Sequence, residues 1–382
     1  MLPSLGARAL SNILWAAAKW AQACPQLRPG DDFLLDFAEV SRRRLEDFNP
    51  QDLSNSIYAF ALLGHCPGEH WLQAALQESQ AKLNTFAPQN LSNTLWACAT
   101  LGFRPGVQFL QLSAQETCRQ LQDLRPQHVA NTLWAYAKMS YTPSDEVLHA
   151  LVEESRHKLG GFNPQNISNS LWAYTQISFS PGQRFLHEVL GESKKKLGSF
   201  TPNNLANSLC ALVKQSCRLD AEFLRLFGGE SHRKLAQFNP QDLANILWAY
   251  ATLDHHPGSA LLESMEAEAQ RQLPHFGPTE LSNSLWACAT LGHVPRAEFL
   301  RDFSMESRRR LASFKSQDLA VTAWGCTGIW LLHGTRRAAV GVAPFSGSRA
   351  RSVGGEQVGQ LARDCQSWSA AEGVAIGECM CV

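Results

Sequence analysis

The sequence predicts an all-α protein, an α-solenoid of about nine 38-residue helix-turn-helix repeats wound into a superhelix. Three observations predict it. An Asn that follows an apolar residue and a small one recurs at Asn55, Asn93, Asn131, Asn169, Asn207, Asn245 and Asn283, each step being 38 residues. A Pro stands five residues before each of them, from Pro50 to Pro278. Apolar residues between these marks recur at helical spacing. One helix pair of this size cannot bury its own apolar faces, so such a period means that neighbouring pairs stack.

Each element follows in order. Pro suits the first helical position, where an N–H would have no partner, and Asn49, Asn163, Thr201 and Asn239 precede it as N-caps. Helix A starts there, runs through segments such as Leu91-Ser92-Asn93-Thr94-Leu95-Trp96, and stops near Gly64, Gly102 or Gly292. Pro-Gly pairs follow, as at Pro67-Gly68 and Pro181-Gly182. Helix B carries Leu72, Leu110 and Leu148, and 11 residues later Leu83, Leu121 and Leu159, a spacing of three turns that places both on one face. A Phe closes the repeat at Phe48, Phe86, Phe162 and Phe200.

A first copy has its Asn at Asn12, 43 residues before Asn55, and the five extra residues fall in the loop around Cys24 to Gly30. A degenerate last copy has Val321 in the Asn position. After Trp324 the pattern gives way to Gly, Ala, Ser, Arg and Cys. The expected organisation is therefore a repeat array over 1–324 and a disordered or aberrant tail over 325–382.

Lys plus Arg equals Asp plus Glu, so bulk charge gives no reason to expect nucleic acid, and only local placement can. The eleven Cys form no CxxC pairs and read as buried thiols in a reducing compartment. No apolar run is long enough for a membrane span, so a soluble chain is expected. Residues 1–30 lack Asp and Glu, as a transit peptide would, but Leu10-Ser11-Asn12-Ile13-Leu14-Trp15 fits the repeat and reads as structural. Any targeting peptide is expected upstream.

Four recurring positions are candidates for function. The Trp position (Trp15, Trp96, Trp134, Trp172, Trp248, Trp286, Trp324) reads as core packing, with a row of stacking platforms for bases as the alternative. The recurrent Asn reads as an inter-repeat ladder bonding the neighbour's backbone, with base reading as the alternative.

A varying polar stripe runs two residues after the Pro, at Asp52, Asn90, His128, Asn166, Asn204, Asp242 and Glu280. One turn on come Ser56, Thr94, Thr132, Ser170, Ser208 and Ser284. It fits one-base-per-repeat contact with single-stranded RNA, and equally fits complementation of the helix N-terminus. The end of helix B collects 16 of the 34 Lys and Arg, including Lys82, Arg119, Lys158, Lys196, Lys234, Arg271 and Arg310. Stacking would align these into a ridge for phosphates; alternatively they pair with the Glu one turn earlier, such as Glu78 and Glu154.

No catalytic set emerges: there is no HExxH, no GxSxG and no phosphate-binding Gly loop. A non-enzyme without metal or cofactor and without a small-molecule substrate is expected.

The repeat Phe238-Asn239-Pro240-Gln241-Asp242-Leu243-Ala244-Asn245-Ile246-Leu247-Trp248-Ala249, with its period of 38, resembles the octotricopeptide-repeat family over residues 7 to about 324. It is similar to chloroplast translation factors of that type and to arrays that precede a RAP domain, although no RAP domain is recognisable. The resemblance implies organellar RNA binding in transcript stabilisation, processing or translation, in the chloroplast or alternatively the mitochondrion. It implies single-stranded RNA as partner, with ribonucleoprotein components beside it, and about one nucleotide per repeat. A protein-interaction scaffold is the alternative class, since helical-pair solenoids in general bind peptides or proteins.

Overall fold

The computed structural model describes residues 5–337, and every regular element among them is helical. The described residues fall into two compact blocks, divided between Lys195 and Lys196. In the first block the A helices are α1 (Ala7–Ala23), α3 (Pro50–Leu63), α5 (Pro88–Thr100), α7 (Pro126–Lys138) and α9 (Pro164–Gln176). The B helices are α2 (Asp31–Arg42), α4 (Glu69–Ala81), α6 (Val107–Arg119), α8 (Asp145–His157) and α10 (Gln183–Lys196). The second block continues with A helices α11 (Pro202–Lys214), α13 (Pro240–Thr252), α15 (Pro278–Thr290) and α17 (Ser316–Arg337). Its B helices are α12 (Ala221–Lys234), α14 (Ser259–Gln272) and α16 (Ala297–Arg309).

Within each block every A helix packs along the A helix of the next repeat, and the B helices form an outer layer. The A layer is the tighter one. A small residue recurs where it meets the preceding helix, and Ala59, Ala97, Ala135 and Ala173 in one block and Ala249 and Ala287 in the other are wholly buried. In α17 the equivalent residue is Gly325, where a Cβ would lie 3.0 Å from the Trp286 nitrogen. The serine hydroxyls Ser11 and Ser54 tie the layer further by donating to the carbonyls of Asp52 and Asn90 in the following repeat, each at 3.1 Å.

The helix ends follow the sequence. Pro50, Pro88, Pro126, Pro164, Pro202, Pro240 and Pro278 each open an A helix, and Asn49, Asn163, Thr201 and Asn239 cap it by accepting the N–H three residues on. Each A helix from α3 to α15 ends in a left-handed residue: Gly64, Gly102 and Gly292, but Ser140, Ser178, Ser216 and Asp254 at the equivalent positions.

Two expectations need correction. The paired leucines of helix B are not all on that helix: helix B ends before Leu83, Leu121 and Leu159, which start a separate 3-10 turn. Leu83 and Leu159 are still buried, and the turn that starts at Leu83 packs against α6, the following B helix. The array also does not stop at Trp324. α17 continues to Arg337, burying Cys326 and Ile329 in continuation of the apolar face. Gly325 and Gly328, which read as breakers, are close-approach positions: a Cβ at Gly328 would stand 2.8 Å from that of Ala289. The rest of the expected tail, residues 338–382, lies outside the described residues.

Candidate nucleic-acid interface

The varying stripe at the start of helix A is turned inward. Asp52, Asn166, Asn204 and Asp242 are buried, and their side chains accept the backbone N–H of the residue three before them, at 3.3, 3.2, 3.3 and 3.5 Å. Asn90 and His128, half-buried, do the same toward Ala87 and Arg125, each at 3.2 Å. These residues close capping boxes, each satisfying a donor at the chain's entry to the helix. Glu280 is half-buried at the equivalent position. Burial, with Arg125 and Lys158 nearby, lowers the His128 imidazole from its ordinary value.

One turn on, Ser56, Thr94, Thr132, Ser170, Ser208 and Ser284 are all at most 3% exposed, between adjacent A helices. The base-contact assignment to both positions is therefore corrected. Asp, Asn and the hydroxyl residues are small enough to be enclosed by the close approach of the A helices, and the first of the two positions is occupied in capping.

The basic ridge is corrected too. Lys82 donates to the carbonyls of Glu46 (2.6 Å) and Phe48 (2.8 Å), and Lys158 to those of Gln122 (2.7 Å) and Leu124 (2.6 Å). Lys234 holds the carbonyls of Gly198 and Phe200, and Arg310 those of Pro274 and Phe276. Where the position is Gln, Gln120 and Gln272 reach the Phe86 and Phe238 carbonyls at 2.6 and 2.7 Å. Lys196 occupies the same position. The long side chain thus closes the 3-10 turn of the preceding repeat, whose carbonyls point at the end of helix B.

Lys82, Lys158, Lys234 and Arg310 also meet the Glu four residues earlier, as in Lys158 to Glu154 at 2.6 Å and Lys234 to Glu230 at 2.7 Å. Arg119 and Arg271 remain exposed but are bonded to Glu116 and Glu268, which holds both carboxyls below the usual carboxylate range. Little uncompensated charge is left on this ridge for phosphate.

The inter-repeat ladder is accordingly made by the cations, and the recurrent Asn is free of that task. Asn55, Asn93, Asn131, Asn169, Asn207, Asn245 and Asn283 are half-buried on the outward side of helix A. Among the described residues none of these amides reaches a neighbouring repeat's backbone; Asn207 bonds Asn203 along its own helix at 3.1 Å.

The Trp position shares that side and is likewise only half-buried, with Trp15 at 41% exposure. In the first block the rings follow one another, Tyr58 to Trp96 at 5.0 Å, Trp96 to Trp134 at 6.4 Å and Trp134 to Trp172 at 6.5 Å between centroids. The second block has Trp286 and Trp324 at 6.2 Å, and Cys210 in place of one ring.

The outward side of helix A is therefore a Gln, an Asn, a ring and a fourth residue, at steps of four, three and four, as in Gln127, Asn131, Trp134 and Lys138. No repeat places an Asp or Glu at any of these four positions, while Lys19, Lys138 and Lys214 stand among them. In a chain of zero net charge, this is a locally basic, amide-rich and aromatic surface. The sequence signal that would have found this side is the absence of acids from it.

Each block is thus a helical-repeat array with a half-buried aromatic and amide stripe along the outward side of its A helices. The chain belongs to the family of the Tbc2 translation factor N-terminal domain. That family's model matches residues 4–114, 71–170 and 113–229, together more than half of the chain. Residues 243–300 match FAST kinase-like protein, subdomain 1, and residues 231–247 match a protein family of unknown function, DUF1601. No curated protein matches the chain. Among the described residues no helix is long and apolar enough to cross a membrane.

Proposed function

We propose that this chain binds single-stranded RNA sequence-selectively along the outward side of its A helices, one base per repeat, in organellar gene expression. The observation that carries the reading is the ring series flanked by amides and lysines on a surface from which acids are missing. Indole faces stack any base, amides bond base edges, and the lysines make the surface locally positive toward an anionic strand. Membership in a translation factor's domain family supports RNA as the ligand. The step served is transcript stabilisation, processing or translation, with ribonucleoprotein components as further partners. The octotricopeptide-like repeat favours the chloroplast over the mitochondrion, and the reading requires no chemistry by the chain itself.

A titration of the full chain against pooled single-stranded RNA at two salt concentrations tests this. Salt-sensitive binding that quenches tryptophan fluorescence is expected. Absence of RNA binding at low salt would overturn the reading and leave the protein-interaction scaffold in its place.

A further inference from the structure

Of the four outward positions on each A helix, three hardly change from repeat to repeat. The first is Gln or another small polar residue in all the inner repeats, the second is Asn, and the third is an aromatic in all of them but the one with Cys210. The fourth, one turn beyond the ring, varies in chemistry: Leu62, Thr100, Lys138, Gln176, Lys214, Thr252 and Thr290. Five of these seven are exposed, Thr100, Lys138, Gln176, Lys214 and Thr252, while Leu62 and Thr290 are half-buried. A contact repeated in every unit cannot distinguish one base from another, whereas a varying contact can.

The fourth position also lies at the level of a stacked base. The Lys214 ammonium stands 5.5 Å from the centroid of Trp248, the ring of the following repeat. Lys19, its counterpart in the first repeat, stands 5.7 Å from Trp15 and 5.9 Å from Tyr58. A side chain that lies over the ring in the free protein is within reach of the edge of any base that takes that place.

We propose that this fourth position selects the base, and that Lys138 and Lys214 select guanine. Lysine has donors only, and the O6 and N7 edge of guanine offers acceptors only; Gln176, with one donor group and one acceptor, matches the N6 and N7 edge of adenine. This rests on the RNA-binding reading above and adds to it which residues specify sequence.

The test is selection of bound sequences from a random single-stranded RNA pool by the full chain, compared with the full-length variants Lys138→Gln and Lys214→Gln. The wild-type chain is expected to enrich guanine at three positions, that of Lys19 among them. Each variant is expected to lose that preference at one position only, by about tenfold, in favour of adenine. Both substituted side chains are exposed, and helical content by circular dichroism confirms that each variant folds. A uniform loss of affinity for all sequences, with a shallower salt dependence, would make these lysines phosphate contacts and overturn the proposal. So would an unchanged preference in both variants. Failure of the wild-type chain to bind any RNA overturns the RNA reading itself and is told apart by that control.

Discussion

The Lys158 ammonium is 2.6 Å from the carbonyl oxygen of Leu124, 34 residues earlier, and Lys82 and Lys234 make the same contact with the carbonyls of Phe48 and Phe200. The bond joins the end of one B helix to the turn that closes the previous repeat, so it is a stacking contact. Lys158→Met keeps the aliphatic stem and removes the donor, leaving the Gln122 and Leu124 carbonyls without it. A loss of about 1–3 kcal/mol in unfolding free energy is expected from urea titration. RNA affinity should change little below the transition; a large affinity loss in the folded variant would restore the phosphate role.

Asn166 distinguishes capping from base contact. Its carbonyl oxygen accepts the Asn163 N–H while the Asn163 side chain accepts the Asn166 N–H at 2.8 Å. Asn166→Asp retains the acceptor and should leave both stability and base preference unchanged. Asn166→Ala should lower stability by about 1 kcal/mol. A changed base preference at one position in the Asp variant would contradict the capping assignment.

Trp134 has a ring on either side, Trp96 and Trp172, at 6.4 and 6.5 Å. Trp134→Ala should weaken single-stranded RNA binding by about 1–3 kcal/mol, the worth of one stacked base, with no preference for which base is lost. Equilibrium binding of matched oligonucleotides measures it. Trp71, buried with its indole N–H bonded to the Ser41 hydroxyl at 2.9 Å, is the control: its replacement should cost stability instead.

Ser178 holds φ at 60° at the end of α9, where α3 and α5 are followed by Gly64 and Gly102. A Cβ in that conformation meets the following carbonyl, a cost of about 1 kcal/mol that glycine does not bear. Ser178→Gly is expected to raise the thermal midpoint. A fall would mean that the greater freedom of glycine in the unfolded chain outweighs the relief.

Several carboxyls titrate below the ordinary Glu value. Arg119 lowers Glu116, Arg156 lowers Glu188, Arg233 lowers Glu230 and Arg271 lowers Glu268. Burial opposes ionisation of Glu266, but bonds from His293 and the Arg296 N–H more than offset it. A lowered folded-state value means stability that is present above the unfolded value, about 4.3, and lost as pH falls through the folded one. Thermal midpoints should hold from neutral pH to about 5 and drop below about 4.3. A stability maximum on the acid side would contradict these assignments.

Most of the fold was legible. The proline, the N-caps Asn49, Asn163, Thr201 and Asn239, and the glycine stops are local signals, and each sits where its own backbone chemistry requires it. The extension of α17 was not legible, because Gly325 and Gly328 break a helix by propensity and are retained for the closeness of α15. The candidate site was legible as a set of recurring polar positions but not as a choice among them. Asp52 and Asn55, three residues apart on one helix, are both polar and both recurrent, yet one is buried and the other faces out.

The sequence by itself determined the period, the starts of the inner A helices and the inventory of positions that every repeat shares, because these depend on contacts within a few residues. Only the tertiary structure decided which positions are spent on stacking. An A helix in a solenoid touches the helix before it, the helix after it and its own B helix, so the side left outward depends on how it is rotated against all three. Lys158 finds its carbonyls 34 and 36 residues away, in the preceding repeat, and no local pattern encodes such a partner. That contact withdraws the cations from the surface, and the rotation that permits it turns Asn and Trp outward.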